Sequence, residues 1–166
     1  MDHGDEHRSD DGYQTPERLK RQLSRLLGMT GVRTRQVAGE ALGAVGAHKD
    51  HFVVLAALAE FGPASQATLS GRTRVYKSDL VSVLNDLADG GWIRRTPDPV
   101  DKRRNVITIT DDGQRRLAEL DRILDGVNEH VMAPLDADER AQLFALLGRV
   151  NAHLAGPCPP ETTEEA

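Results

Sequence analysis

Between Lys77 and Thr110 the hydrophobic period changes from that of a helix to that of a strand, and this switch limits the fold more than any other feature of the chain. In "KSDLVSVLNDLADGG", Leu80, Val83, Leu84 and Leu87 recur at spacings of three and four and share one face. Lys77, Ser78, Ser82, Asn85 and Asp89 fall elsewhere on the helix. Gly90-Gly91 closes it, because glycine accepts the left-handed conformation in which helices commonly end. Trp92 to Arg95 then reads as a short strand, and "NVITIT" alternates in period two and reads as its partner. The stretch joining them, "TPDPVDKRR", is longer than a tight hairpin turn. It carries two prolines, which restrict its shape, and the basic triplet Lys102, Arg103 and Arg104.

Upstream, "DHFVVLAALAEFGP" is too long for an ordinary strand and stops at Gly62-Pro63, which predicts a buried helix. Ser65 is placed to cap a short helix, "QATLSGR", and a turn rich in Thr and Arg follows. The order is therefore helix, short helix, helix, strand, long loop, strand, which is a winged helix-turn-helix. In that arrangement the second of the paired helices can enter a DNA major groove. An arginine at the tip of the hairpin loop can enter a narrow minor groove, where the negative potential is strongest.

Helices are also predicted on both sides. Thr15-Pro16-Glu17 reads as a helix start with Thr15 as cap and Pro16 in the first turn. Leu19, Leu23, Leu26 and Leu27 follow at helical spacing, and Gly28 and Gly31 leave either a kink or a second helix over 32–45. Downstream, Thr110 can cap a helix whose first turn holds Asp111 and Asp112. Leu117, Leu120, Leu124, Val127 and Val131 form a coiled-coil-like seam on it. Pro134 breaks the helix, Asp136 and Glu139 resemble a capping box, and Leu143, Leu146, Leu147, Val150 and Leu154 form the last stripe. The fold class is mainly α with a small β-hairpin wing. Its segments are a disordered acidic tail (1–14), N-terminal helices (15–47), the winged lobe (48–110), C-terminal helices (111–155) and a disordered tail (156–166).

Charge is distributed in a way that the formal net value of −5 hides. Residues 1–11 hold five acids and one base, and residues 157–166 hold three acids and no base, so residues 12–156 carry +2. Arg94 to Arg104 contains five bases against two acids, and Arg72 to Lys77 adds three bases and no acid. Local sign, not net sign, governs binding to a polyanion. No apolar run approaches the roughly 20 residues of a membrane span. No signal-peptide pattern opens the chain, and the single cysteine fits a reducing cytoplasm.

"DPVDKR" in the loop, with "LADGGWIRR" before it and "ITITDDG" after it, resembles the MarR family of bacterial transcription regulators. The likeness covers about Asp50 to Leu120. It implies a cytoplasmic, nucleoid-associated homodimer that binds a palindromic double-stranded operator, most often as a ligand-responsive repressor. Arg103 then matches the wing-tip arginine that enters the minor groove, and Asp101 the aspartate that orients it. Lys102 and Arg104 are phosphate contacts. Lys77, Ser78, Val81 and Ser82 occupy the first exposed turns of the recognition helix, with Tyr76 where the family has a short polar cap. Arg72 and Arg74 contact phosphates or are merely solvated. Dimerisation falls to Leu19, Leu23 and Leu26, to Leu120, Leu124 and Val127, and to Leu143, Leu147 and Val150. These stripes also exceed what one small winged lobe can cover.

Rival readings start from other residues. His48 and His51, with His130 and His153 on the predicted dimer helices, raise a metal sensor of the same fold, but they lack the tight clustering of a zinc site. Cys158 raises a redox switch, but no basic neighbour lowers its pKa. No nucleophile elbow, phosphate loop or hydrolase spacing marks an enzyme. A winged-helix protein adaptor is a further class. The expectation is no metal and no cofactor. The effector is a small anionic or aromatic molecule, and Arg21, Arg25, Arg33 and Arg35 are candidates to meet it or to pair with acids of a partner chain.

Overall fold

The computed structural model describes residues 16–156 except Val100 and Arg103. Thr15, Arg103, Cys158 and both predicted tails up to residue 14 and from residue 157 therefore lie outside the described residues. The chain falls into two compact units that part between Lys49 and Asp50.

The first unit holds α1 (Glu17–Lys20) and α2 (Leu23–Gly43). Pro16 occupies the N-cap position of α1, one residue before its predicted place, and extended dihedrals (φ −55°, ψ 140°) suit proline there. The chain breaks at Arg21-Gln22 and not at Gly28 or Gly31, so α2 is one helix of 21 residues. This replaces the kink or second helix expected over 32–45. Leu19, Leu23, Leu26 and Val32 are exposed.

The second unit takes in α3 (Lys49–Phe61) from its second residue on, and Val54, Leu55 and Leu58 of this helix are fully buried. Gly62 turns the chain with φ +76°. A two-residue strand, β1 (Ala64–Ser65), comes before α4 (Gln66–Thr73). Ser65 caps α4 as expected, its hydroxyl accepting from the Thr68 amide at 3.2 Å. Recognition-type helix α5 (Lys77–Asp89) buries Leu80, Val83, Leu84 and Leu87, the four residues that set its period. The sheet has three antiparallel strands in the order β1-β3-β2, with β2 at Ile93–Pro97 and β3 at Asn105–Ile109. The hairpin is thus extended by β1, which pairs Ala64 with Ile107. Trp92 precedes β2, half-buried, instead of starting it.

Helix α6 (Asp111–Val131) starts at a junction of three elements. The Thr110 hydroxyl accepts from the Gly113 amide (3.0 Å) and donates to the Gly91 carbonyl (2.7 Å). The Thr110 amide donates to the Trp92 carbonyl (3.0 Å). At Gly113 a Cβ would stand 2.0 Å from that carbonyl oxygen, so only glycine fits the approach. Arg116, one turn on, is buried, pairs with Glu119 at 2.7 Å and lies 4.7 Å from the centre of the Trp92 ring. Helix α7 (Ala137–Leu154) opens with the complete capping box of Asp136 and Glu139.

The apolar stripes of α6 and α7 differ. Leu120 (0% exposed) and Val127 (7%) are already covered within one chain. The single chain leaves them little surface, unlike the other residues expected at a dimer interface. Leu124 is intermediate. In α7 no residue is buried, and Leu143, Leu147 and Val150 all remain exposed.

Candidate nucleic-acid interface

The turn between α4 and α5 fixes how the exposed residues of the second unit are presented. Thr73 Oγ1 donates to the Leu69 carbonyl at 2.7 Å and accepts from the Val75 amide at 3.4 Å. Ser70 Oγ donates to the Val75 carbonyl at 2.9 Å. Arg74 closes α4 in the left-handed conformation (φ 56°), an uncommon one for a residue with a Cβ. Val75 is buried in the turn, and the chain re-enters a helix at Tyr76.

Tyr76 holds the N-cap position of α5 but makes no side-chain capping bond, and its ring is 78% exposed. A phenol cannot fold back onto the N2 or N3 amide as a short hydroxyl does. Lys77, Ser78, Val81 and Ser82 are likewise exposed on the first turns of α5. Val81 is 46% exposed, an apolar group on an otherwise polar face and of the kind that meets a thymine methyl. Ser78 Oγ donates to Asp79 Oδ1 at 3.0 Å.

Arg72 and Arg74 are both exposed. The Arg72 guanidinium sits 5.3 Å from the centre of the Phe61 ring, which ties its stem to the end of α3. His51 of α3 is buried with Nε2 3.5 Å from Asp86 Oδ2 of α5. His130 and His153 are exposed.

The wing is closed at its neck by the Asp98 amide, which donates to the Arg104 carbonyl at 2.9 Å. Within the loop, the Asp101 amide donates to Asp98 Oδ1 at 3.2 Å and the Arg104 amide to the Asp101 carbonyl at 2.9 Å. These bonds tie Asp98, Asp101 and Arg104 together. Lys102 and Arg104 are exposed, and Asp101 Oδ2 lies 3.6 Å from Arg104 Nε.

Two arginines with defined partners escaped the sequence reading. Arg95 on β2 donates from Nη2 to Asn85 Oδ1 on α5 at 2.8 Å, linking the wing to the middle of the exposed helix. Its signal was strand parity, which places it on the same face as Ile93. Arg116 was hidden because a periodicity count treats arginine as polar, although its stem packs and its charged end lies on Trp92.

Comparison with known proteins agrees with this geometry. A family model described as "MarR family" matches residues 46–104. The chain is similar to the HTH-type transcriptional repressor NicR of Pseudomonas putida, 30% identical over 99 residues that make up 60% of this chain and 63% of that protein. It is similar to the transcriptional regulator HosA of Escherichia coli, 32% identical over 101 residues, 61% of this chain and 74% of HosA. The chain thus spans less than two thirds of NicR. Among solved structures it resembles a mutant MarR from Escherichia coli complexed with operator DNA, with 26% identity, a TM-score of 0.65, and 77% of this chain and 92% of that one covered. Among the described residues, no helix is long and apolar enough to cross a membrane.

Proposed function

The chain belongs to the MarR family of transcriptional regulators, and on that premise we propose that it binds a palindromic double-stranded operator as a homodimer, acting in the cytoplasm as a ligand-responsive repressor. The observation that carries this reading is the exposed, uncapped first turn of α5 standing next to a basic wing. Helix α5 enters the major groove with Lys77, Ser78, Val81 and Ser82, and Tyr76 touches the backbone or a base edge. The wing enters the adjacent minor groove with Arg103, directed by Asp101, while Lys102 and Arg104 take phosphates. Arg74 and Arg72 stand behind the turn as further phosphate contacts. The exposed apolar faces of α1–α2 and of α7 are covered by the second copy of the chain, which places two recognition helices on half-sites about one helical turn apart. A small anionic or aromatic effector releases the operator.

A fluorescence-anisotropy titration tests this reading, using duplex from upstream of the protein's own gene against scrambled duplex at two salt concentrations. The expected result is tight binding to the first duplex, weakening steeply with salt, and its loss in Arg103→Glu. No binding to any duplex at low salt would overturn the reading.

Tyr76 allows a separate prediction. Tyr76→Ser supplies the capping hydroxyl that α5 lacks, so thermal unfolding should show a gain of about 1 kcal/mol in stability. The same variant should bind operator roughly ten-fold more weakly, because it loses the ring at the interface. Unchanged affinity in the titration sinks the assignment of Tyr76 to the DNA surface.

A further inference from the structure

We propose that the cleft between the wing and the start of α4 is a phosphate clamp, in which Arg95 and Arg104 together hold one phosphodiester group of the bound duplex. The inference rests on the DNA-binding reading above and assigns a role to Arg95 and to the cleft beside the wing.

The strand register makes the case for Arg95. Ile93 pairs with Ile109 and Arg95 with Ile107, so Arg95 shares a face of the hairpin with Ile93 and Ile107, both buried. A strand that continues this pattern has an apolar residue here. The arginine instead sits where the hairpin leaves the core, exposed, and its Nη2 is held by Asn85 Oδ1 at 2.8 Å. The amide of Asn85 is neutral. It fixes the direction of the guanidinium without cancelling its charge.

Arg95 lines a cleft of ≈ 260 Å³ together with Arg104, Asn105, Ser65, Gln66 and Ile107. Among the described residues, both charged groups of that lining are arginines and no carboxylate belongs to it. Arg104 Nε lies 3.6 Å from Asp101 Oδ2 in a pair exposed on both sides, and such a pair holds weakly. Two guanidiniums that face one cleft repel each other until an anion joins them. A phosphodiester suits this arrangement: it carries one charge and two free oxygens, and each planar fork can donate to them. A duplex that lays its major groove on α5 and its minor groove on the wing must carry one phosphate strand between the two. The cleft is bounded by β2, β3 and the start of α4, and Arg95 joins it to α5 through Asn85.

The test uses the full-length chain, the upstream duplex and a scrambled duplex in anisotropy titrations over a salt series. Arg95→Gln should lower affinity for both duplexes by the same factor, roughly ten-fold at low salt, and remove about two units, one for each protomer of the bound dimer, from the slope of log affinity against log salt. Asn85→Ala, which frees the arginine but keeps its charge, should leave that slope intact. A duplex series with single neutral methylphosphonate linkages should contain one position in each half-site that weakens the wild type and not Arg95→Gln. An unchanged slope in a folded Arg95→Gln protein overturns the clamp. So does a loss confined to the upstream duplex, which would make Arg95 a base reader. If inorganic phosphate protects the wild type and not Arg95→Gln from thermal unfolding while duplex affinity is equal in both, the cleft serves a free anion and the clamp is overturned. A wild-type protein that binds neither duplex defeats the DNA reading itself, a result distinct from all of these.

Discussion

Replacing Leu143 and Leu147 with aspartate is expected to convert the protein to a monomer and to weaken operator binding about 10³-fold, the order of avidity gained by linking two binding events. Both side chains lie on α7, a helix of 18 residues with none buried in the single chain. Phe144, Leu146, Val150 and Leu154 are exposed with them. A contiguous apolar surface of this kind marks an interaction site in a soluble protein, and a twofold partner is the commonest occupant. The winged lobe has its own core in Leu55, Leu58, Leu69, Leu80, Leu84 and Ile107, all fully buried. It should therefore survive the change, with far-ultraviolet circular dichroism showing α3 to α5 retained. Sedimentation velocity reads the association state directly. A double variant that still sediments as the wild type, or one that is monomeric yet binds operator equally well, would remove α7 from the dimer interface.

Gly113→Val should lower the melting temperature by about 10 °C or more, corresponding to a loss of at least about 3 kcal/mol. The added Cβ alone meets the Trp92 carbonyl oxygen at 2.0 Å and Ile109 Cγ1 at 2.7 Å. The first neighbour is backbone, held by the Thr110 amide, so no side-chain rotation relieves the clash. Gly126→Ala in the same helix is the control. A Cβ there meets nothing within 4 Å, and the change should stabilise by up to about 1 kcal/mol. Differential scanning calorimetry on both proteins decides the matter. Equal melting temperatures for Gly113→Val and the wild type would mean that the junction of wing and α6 yields more readily than its hydrogen bonds imply.

The lobe from α3 to the end of β3 could be read from the sequence because its residues signal in agreement. Leu80, Val83, Leu84 and Leu87 share both a helical period and a buried face, and Ser65, Thr110 and Asp136 each cap the helix that follows them. Strand β1 could not be read, since two residues show no period. The break in the N-terminal helices was misplaced for a different reason. Glycine in a helix costs only about 1 kcal/mol, which α2 absorbs at Gly28 and Gly31, while nothing in the composition around Arg21 and Gln22 marks the true break. On α6, reading only apolar residues gave a seam of Leu117, Leu120, Leu124, Val127 and Val131. The buried set is Gly113, Arg116, Leu120 and Val127, a face that begins with a backbone approach and a stacked cation. The residues named on α5 and in the turn before it are exposed, and the sequence did not single out Arg95 because charge was counted by cluster and not by strand face.

The placement of Trp92 makes the molecule its own optical reporter. It is the single tryptophan of the chain, it lies between the end of α5 and the start of β2, and a guanidinium from α6 rests on its ring. Its emission therefore originates at the joint where the wing meets the long helix. Any event that shifts one against the other, whether a duplex taken up or an effector bound, alters the polarity and quenching around one known indole. The communication between these two parts can be followed in unlabelled protein, in real time, by exciting that one residue.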